Sequence, residues 1–417
     1  MVNIIKQPPT DSFTFELFDR LVRHVSIPND SIYFWAHILD GYTEIESSDD
    51  GEFIKDRTYY WKEILNHITK DLIILGIKDN LGSFDFNPWI DDKPYLIEKL
   101  HRLFVDHAHR KFVLFTSHEN LESYLTNTNL IIIPWGGDIV NQRLAYESLD
   151  PVIDKDMSSK QTFISLNRNT REHRAVLVCL LFGMSLQEYG VISAMFRSDI
   201  DIMIDNMTWP GTESNNILGE TIRYGCNLLK TANLLINDDR TIYSNSSTND
   251  NVSNFNNSLR EHYRQVFVDI ISETSYLETS FNFTEKTQHS IYGYCFPILI
   301  CSSGAVNTLR QMGMDVFDDI VDHRYDLISD PMTRMYTAIN SNLRLLTDSD
   351  YTKQLWLDNQ YRFAKNVQFA RTTMFEFYQT RAETLWENAK KHYYNASRSI
   401  PVLSATDLIC GEIASII

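Results

Sequence analysis

Two stretches of the chain carry residue types that together can hold a phosphorylated ligand. The first is Asn167-Arg168-Asn169-Thr170-Arg171-Glu172-His173-Arg174, set between an apolar run, Gln161 to Leu166, and a helical pattern from Ala175 to Met184. The second is Ser272-Glu273-Thr274, followed after a polar turn by Thr284-Glu285-Lys286. Guanidinium groups suit a pyrophosphate because they bind it bidentately. A helix N-terminus offers unpaired N–H groups and the positive end of its dipole to the same anion. Arg171, Arg174 and Lys286 fall in first helical turns, where a cation is unfavourable unless an anion balances it. Glu273 and Glu285 bring carboxylates that suit sugar or ribose hydroxyls. Plainer readings stand beside these. The arginines can pair with the many acidic residues of the chain, and Thr284-x-x-Thr287 can be an ordinary helix cap.

The elements around these residues place them together. Val266 to Ile271 and Pro297 to Cys301 are short apolar runs of the buried-strand type, with a helical pattern between them. Gln161 to Leu166 is a third such run. Asn169 and Glu172 have capping-box spacing, which predicts a helix start after that strand. Strands of this kind alternating with helices give an open α/β sheet, where ligands bind outside the carboxyl ends of the strands.

The N-terminal half shows the same alternation. Ser31 to Leu39, Leu72 to Leu75, Phe112 to Phe115 and Leu130 to Trp135 read as strands, with helical patterns at Thr58 to Ile68 and Pro94 to His107. Residues 145–160 are polar and suit a linker. After Arg344 aromatic and aliphatic residues recur at three- and four-residue intervals to about Tyr394, an amphipathic helical tail. Residues 237–257, rich in Asn, Ser, Thr and Asp, form the longest loop-like stretch. Such loops are usually functional or mobile, and the position of this one before the Glu273 strand makes it a candidate flap over the donor.

Other motifs carry less. Gly136-Gly137-Asp138 after the LIIIPW strand allows close backbone approach to a ligand, or is a simple turn. His101, His107, His109 and His118 match no metal-ligand spacing. Asp199-Ile200-Asp201 is a D-x-D triplet of the kind that holds a divalent ion on a diphosphate, but the alternation around it equally fits a strand or loop.

The 417 residues include 43% hydrophobic and 22% charged side chains, ordinary for a globular protein of two domains. The formal net charge of −17 argues against a broad nucleic-acid surface, since phosphate contacts need Lys and Arg. No apolar run has the length of a membrane span. The N-terminal MVNIIKQPPTDSF lacks a secretory pattern, so a cytoplasmic protein is expected, in the host cytoplasm if virus-encoded. The five scattered cysteines read as reduced core residues.

The ordered set S-E-T, F-T-E-K-T, a helix and a Pro-led strand resembles the donor-binding segment of fucosyltransferase-like glycosyltransferases. Downstream, Leu309 to Phe317, Tyr325-Asp326, Asp330 and Arg334 resemble the tail of that segment in viral and phage relatives. The resemblance spans roughly residues 160–345. It implies a GT-B-like α/β fold, with two Rossmann-like domains, a crevice between them and a helical C-terminal tail. The domains would be 1–150 on the acceptor side, 160–345 on the donor side, and a tail, 346–417, packing back on the first domain or pairing two copies in a homodimer. The activity implied is transfer of a sugar, in the manner of GDP-fucose, from a nucleotide-diphosphate sugar to a glycan or other hydroxyl, with inversion, no cofactor and no strict metal requirement. Donor contacts would be Arg168, Arg171, Arg174, Glu273, Thr284, Glu285 and Lys286, with Arg168 and Arg174 favoured for the diphosphate. Asp40, His118 and Asp138 are candidates for the catalytic base by strand-end position. The alternatives are a phage-type enzyme that glycosylates DNA bases and an inactive fold of the same type serving as a structural or sugar-binding protein.

Overall fold

The structure is a computed structural model. It describes residues 31–36, 72–77, 104–106, 108–116, 119, 121, 129–134, 149–167, 171–194, 200, 216–232, 255, 259–276 and 281–393. The chain forms two compact units. One comprises residues 1–140, 278–282 and 375–417, and the other residues 141–277 and 283–374. Both are α/β with parallel sheets.

The first unit holds β1 (Ser31–Ala36), β2 (Leu72–Ile77), β3 (Lys111–Thr116) and β4 (Leu130–Pro134), hydrogen-bonded in the order β1-β2-β3-β4 and all parallel. Ser31 lies opposite Leu72, Leu72 opposite Lys111, and Phe112 opposite Leu130. Phe112, Val113 and Leu114 are consecutive and all buried, so β3 is covered on both faces, as a parallel strand requires. Asn129 fixes the entry to β4 by donating to the carbonyls of Phe104 and Arg110, both at 3.1 Å. Glu119, beyond β3, forms an antiparallel bridge with Phe281 and an ion pair with Arg381.

The second unit holds β5 (Phe163–Ser165), β6 (Gly190–Ile192), β7 (Val268–Ser272) and β8 (Phe296–Ile300), all parallel, in the order β6-β5-β7-β8. Every residue of these strands is buried. The apolar runs locate β5, β7 and β8 within two residues. β6 has no counterpart in the sequence pattern, because three residues show too little periodicity.

From β5 the chain runs through α1 (Glu172–Gly183) to β6, which lies on one side of β5. It returns through α2 (Asn216–Thr231) and α3 (Arg260–Arg264) to β7, on the other side. The strand order therefore reverses between β5 and β7. The carboxyl ends of these two strands flank the crevice where open α/β sheets take their ligands.

The sequence pattern predicts a cap at Asn169. Helix α1 instead starts at Glu172, with Arg171 in extended conformation as its cap residue and no side-chain cap bond. Residues 173–182 of α1 are all buried, as befits a helix clamped between sheet and neighbour. It lies unusually close to α2. A Cβ on Gly225 would stand 1.7 Å from the Cys179 carbonyl oxygen, and one on Gly183 2.1 Å from that of Thr221. Only glycine permits this approach.

Beyond β7 come α4 (Glu285–Tyr292), β8, α5 (Ala305–Met312) and α6 (Pro331–Asn340). The helical tail seen in the sequence is α7 (Leu343–Thr347), α8 (Ser349–Asp358), α9 (Gln360–Gln368), a π-helical turn at Phe369–Thr373 and α10 (Met374–Tyr393).

At the amino edge of the second sheet, buried Lys155 donates to the carbonyls of Tyr263 and Val266 at 2.7 Å and of Gly293 at 2.5 Å. This pins the segment before β5 to the ends of α3 and α4. Beside it, Asp269 of β7 accepts a 2.8 Å bond from the Tyr263 hydroxyl. Burial pushes the Asp269 carboxyl up to about 7, against the opposing pull of Tyr263 and Lys155.

Candidate functional site

Asp40, His118, Asp138 and Arg168 lie outside the described residues, as do Asp199 and Asp201 and most of the loop 237–257. The other expected donor contacts, Arg171, Arg174, Glu273, Thr284, Glu285 and Lys286, follow the carboxyl ends of β5 and β7.

After β5 the chain is held by Asn167, which is fully buried. Its backbone N–H donates to Ser193 Oγ at 2.9 Å, and its carboxamide donates to the Ser165 carbonyl and hydroxyl at 3.2 and 3.0 Å. This ties the end of β5 to the end of β6. Arg171 is half-buried at the head of α1, and the N–H groups of Arg174 and Ala175 close the first turn on its carbonyl, both at 3.1 Å.

His173 and Arg174 then reach across to β7. His173 Nε2 lies 3.0 Å from the Glu273 carbonyl oxygen, and since a carbonyl only accepts, that nitrogen carries the proton. Arg174 donates to the carbonyls of Ser272 and Glu273 at 3.3 and 3.4 Å. The His173 ring stacks on Tyr276, centroids 5.4 Å apart. Burial, then the charges of Arg174, Arg171 and Lys286, hold His173 well below the usual imidazole range. It is therefore neutral near pH 7. Three cations from two helix starts thus act on one ring.

Glu273 departs from the expected role. It is fully buried and its carboxylate turns inward to the start of α4. It accepts from the Thr284 N–H at 3.1 Å, the Thr284 hydroxyl at 2.6 Å and the Thr287 hydroxyl at 2.7 Å. These bonds occupy both oxygens, so Glu273 positions α4 and does not face a sugar hydroxyl. Thr284 likewise is the cap of α4 and is buried. Its hydroxyl donates to Glu273 and accepts from Lys286 Nζ at 3.0 Å. Arg174 is only 2% exposed, and its bonds to β7 make it a tie between α1 and the strand end rather than an open diphosphate ligand.

Lys286 and Glu285 stay partly open, with 22% and 27% of their side chains exposed, and pair at 2.9 Å. Burial would raise the Glu285 carboxyl, but the charge and hydrogen bond of Lys286, helped by His289 and a backbone N–H, bring it down to about 2. Arg171, half-buried at the head of α1, and Lys286, paired with Glu285, are the less buried cations beside the scaffold of Arg174, His173, Glu273 and Thr284. Among the described residues no group of three or more His, Cys, Asp or Glu is placed to hold a metal ion.

Two contributors were absent from the expected donor contacts. His173 lay in plain view within the arginine stretch, but nothing local marks it as a bridge to β7. Tyr276, its stacking partner, follows the S-E-T strand end by two residues, and only the tertiary fold reveals the pairing.

Comparison with protein-family models, curated proteins and solved structures finds no match to this chain.

Proposed function

We propose that the second unit binds a nucleoside-diphosphate sugar at the carboxyl ends of β5 and β7, and that the protein is a glycosyltransferase of GT-B architecture acting on a glycan or other hydroxyl acceptor. The observation that carries this reading is the placing of Arg171 and Arg174 at the start of α1 and of Lys286 at the start of α4, after the strands between which the order reverses. Glycosyl transfer builds negative charge on the departing diphosphate as the bond to the sugar carbon breaks. Preorganised cations aimed at that charge are the largest contribution a site of this kind makes. Lys286 and Arg171 would stabilise the diphosphate directly. Arg174 and Glu273 would hold the two helix starts in place, and the neutral His173 adds no charge that would repel the cations. The Glu285 carboxylate, paired with Lys286, would accept from a ribose or sugar hydroxyl. Deprotonation of the acceptor needs a base near the sugar carbon, for which Asp40, His118 and Asp138 are the candidates. No described helix is long and apolar enough to cross a membrane.

The test is a thermal-shift series with GDP, UDP, CDP and ADP, free and as sugar conjugates, on wild type, Lys286→Ala and Arg171→Ala. A ligand that binds only the folded protein raises the midpoint by mass action. One nucleotide should stabilise the wild type, with the effect reduced at least tenfold in apparent affinity in Lys286→Ala. Absence of any shift at millimolar nucleotide would overturn the proposal. Binding without transfer to any acceptor would point to the inactive sugar-binding alternative.

A further inference from the structure

Arg334, on α6, is a buried cation without an acidic partner. It is 4% exposed, and among the described residues no carboxylate lies within ion-pairing distance. Its guanidinium donates to three carbonyls: those of Ile328 and Ser329 from Nη1, at 2.8 and 3.1 Å, and that of Tyr276 from Nη2, at 2.5 Å. It also lies over the Tyr276 ring, 4.6 Å from the centroid. The nearest acid along the chain, Asp330, is occupied in capping α6 through the Thr333 N–H at 2.7 Å. Carbonyl dipoles and a ring face offset part of the desolvation of a guanidinium, but buried charges are ordinarily paired. The Nε of Arg334 has no acceptor at all.

Two hydroxyls on neighbouring segments are also without a partner among the described residues. Ser275, fully buried, directly precedes the Tyr276 whose carbonyl Arg334 holds, and its Oγ makes no hydrogen bond. Ser302, 1% exposed, follows β8 by two residues, and its Oγ makes none either. The chain beyond β7 runs beside the end of β8, since the Glu273 N–H donates to the Ile300 carbonyl at 3.0 Å. Helix α6 packs against β8. The charge of Arg334 is felt at Cys301, the neighbour of Ser302. A guanidinium N–H and two hydroxyls, all donors and all buried, thus stand on neighbouring segments beyond the ends of β7 and β8 with no acceptor assigned to them among the described residues.

We propose that Arg334, Ser275 and Ser302 form a second anion site, between the carboxyl ends of β7 and β8, that takes a phosphoryl group. It lies one strand away from the Lys286 site and does not rest on the glycosyltransferase reading. Tetrahedral phosphate oxygens match the donor set. They would supply the acceptors the three groups lack and the negative charge Arg334 lacks.

The experiment measures the thermal midpoint of the full chain against inorganic phosphate into the tens of millimolar, for wild type, the double variant Ser275→Ala/Ser302→Ala, Arg334→Lys and Lys286→Ala. Removing a buried hydroxyl that has no partner is neutral or stabilising. The double serine variant should therefore melt at or above the wild-type temperature without phosphate, yet bind phosphate at least tenfold more weakly. Arg334→Lys should lose the response, while Lys286→Ala keeps it. A nucleoside monophosphate added in competition identifies the source. Displacement of phosphate makes the ligand a nucleotide's phosphoryl group, and no displacement makes it free phosphate. The proposal is overturned if phosphate leaves the wild-type midpoint unchanged, if the double serine variant responds like wild type, or if the response disappears only in Lys286→Ala. Because the serine variant retains its fold under either outcome, failure of Arg334→Lys to fold does not remove the test.

Discussion

The two sheets are built of the same material and differ in one respect. Each has four parallel strands, short and apolar. LIILGI, KFVLFT and LIIIP in the first are hardly distinguishable from FPILI in the second. In the first, the described strands follow one another across the sheet in chain order, so each crossover steps the same way. In the second, β6 goes to one side of β5 and β7 to the other. A parallel sheet whose crossovers all step one way closes the space above its strand ends with successive loops. A reversal parts the loops and opens a crevice. The residues that converge on His173 are found at the reversal. Topology, rather than strand composition, is what differs between the two sheets.

The sharpest test of that contrast is to loosen the return from β6 to β7. Gly225→Ala would drive a methyl group into the Cys179 carbonyl and force α1 and α2 apart. We expect a loss of about 3 kcal/mol in the second unit, read as an early calorimetric transition. The transition of the first unit should stay where it was. A single transition shifted as a whole would show that the two units do not unfold separately and would weaken the comparison.

A matched pair comes next. Glu273→Gln removes a charged acceptor from the Thr284 N–H and from two threonine hydroxyls, and should cost about 2 kcal/mol. Glu119→Gln, which weakens the ion pair to Arg381 in the first unit, should cost a similar amount. The two must differ in ligand response. Glu273→Gln should weaken nucleotide stabilisation because Lys286 hangs from the helix start that Glu273 holds, whereas Glu119→Gln should leave it intact. Equal effects of both on binding would undo the assignment of the site to the second sheet.

The smallest effect is a pH slope. Burial holds the Asp269 carboxyl at about 7 in the folded protein, above the 3.8 of a free side chain. Between about pH 4 and 7 the folded state therefore binds more protons than the unfolded one. Stability from this group is fully present below pH 4 and declines as pH rises toward 7, by up to about 1.4 kcal/mol per pH unit. Asp269→Asn keeps an acceptor for the Tyr263 hydroxyl and should flatten the slope in denaturant titrations run across that range. An unchanged slope would mean that Asp269 is ionised in the fold.

Much of this was legible in the sequence, for identifiable reasons. Continuous apolar runs located seven of the eight described strands, because parallel strands of α/β sheets read as near-continuous hydrophobic runs. Thr284 was readable as a helix cap, since a hydroxyl one residue before a helix satisfies a free N–H wherever it occurs. The arginine stretch was readable as a helix start, although the cap fell at Arg171 rather than Asn169. These are local relations, set by residues within a turn of one another.

What lay beyond reach depended on distant partners. Glu273 looked like a ligand contact because a carboxylate at a strand end is open unless something covers it. Thr284 and Thr287, 11 and 14 residues further on, cover it. Arg174 looked like a diphosphate clamp until β7, 98 residues away, took its guanidinium. β6, at three residues, is a strand only because β5 offers it an edge. The sequence by itself determined an α/β chain of buried parallel strands with cations at two helix starts. The tertiary structure decided the order of the strands, and with it where that order reverses and which of those charged groups are tied to distant segments. Hydrogen-bond partners and burial are properties of contacts between distant segments, and no local pattern encodes them.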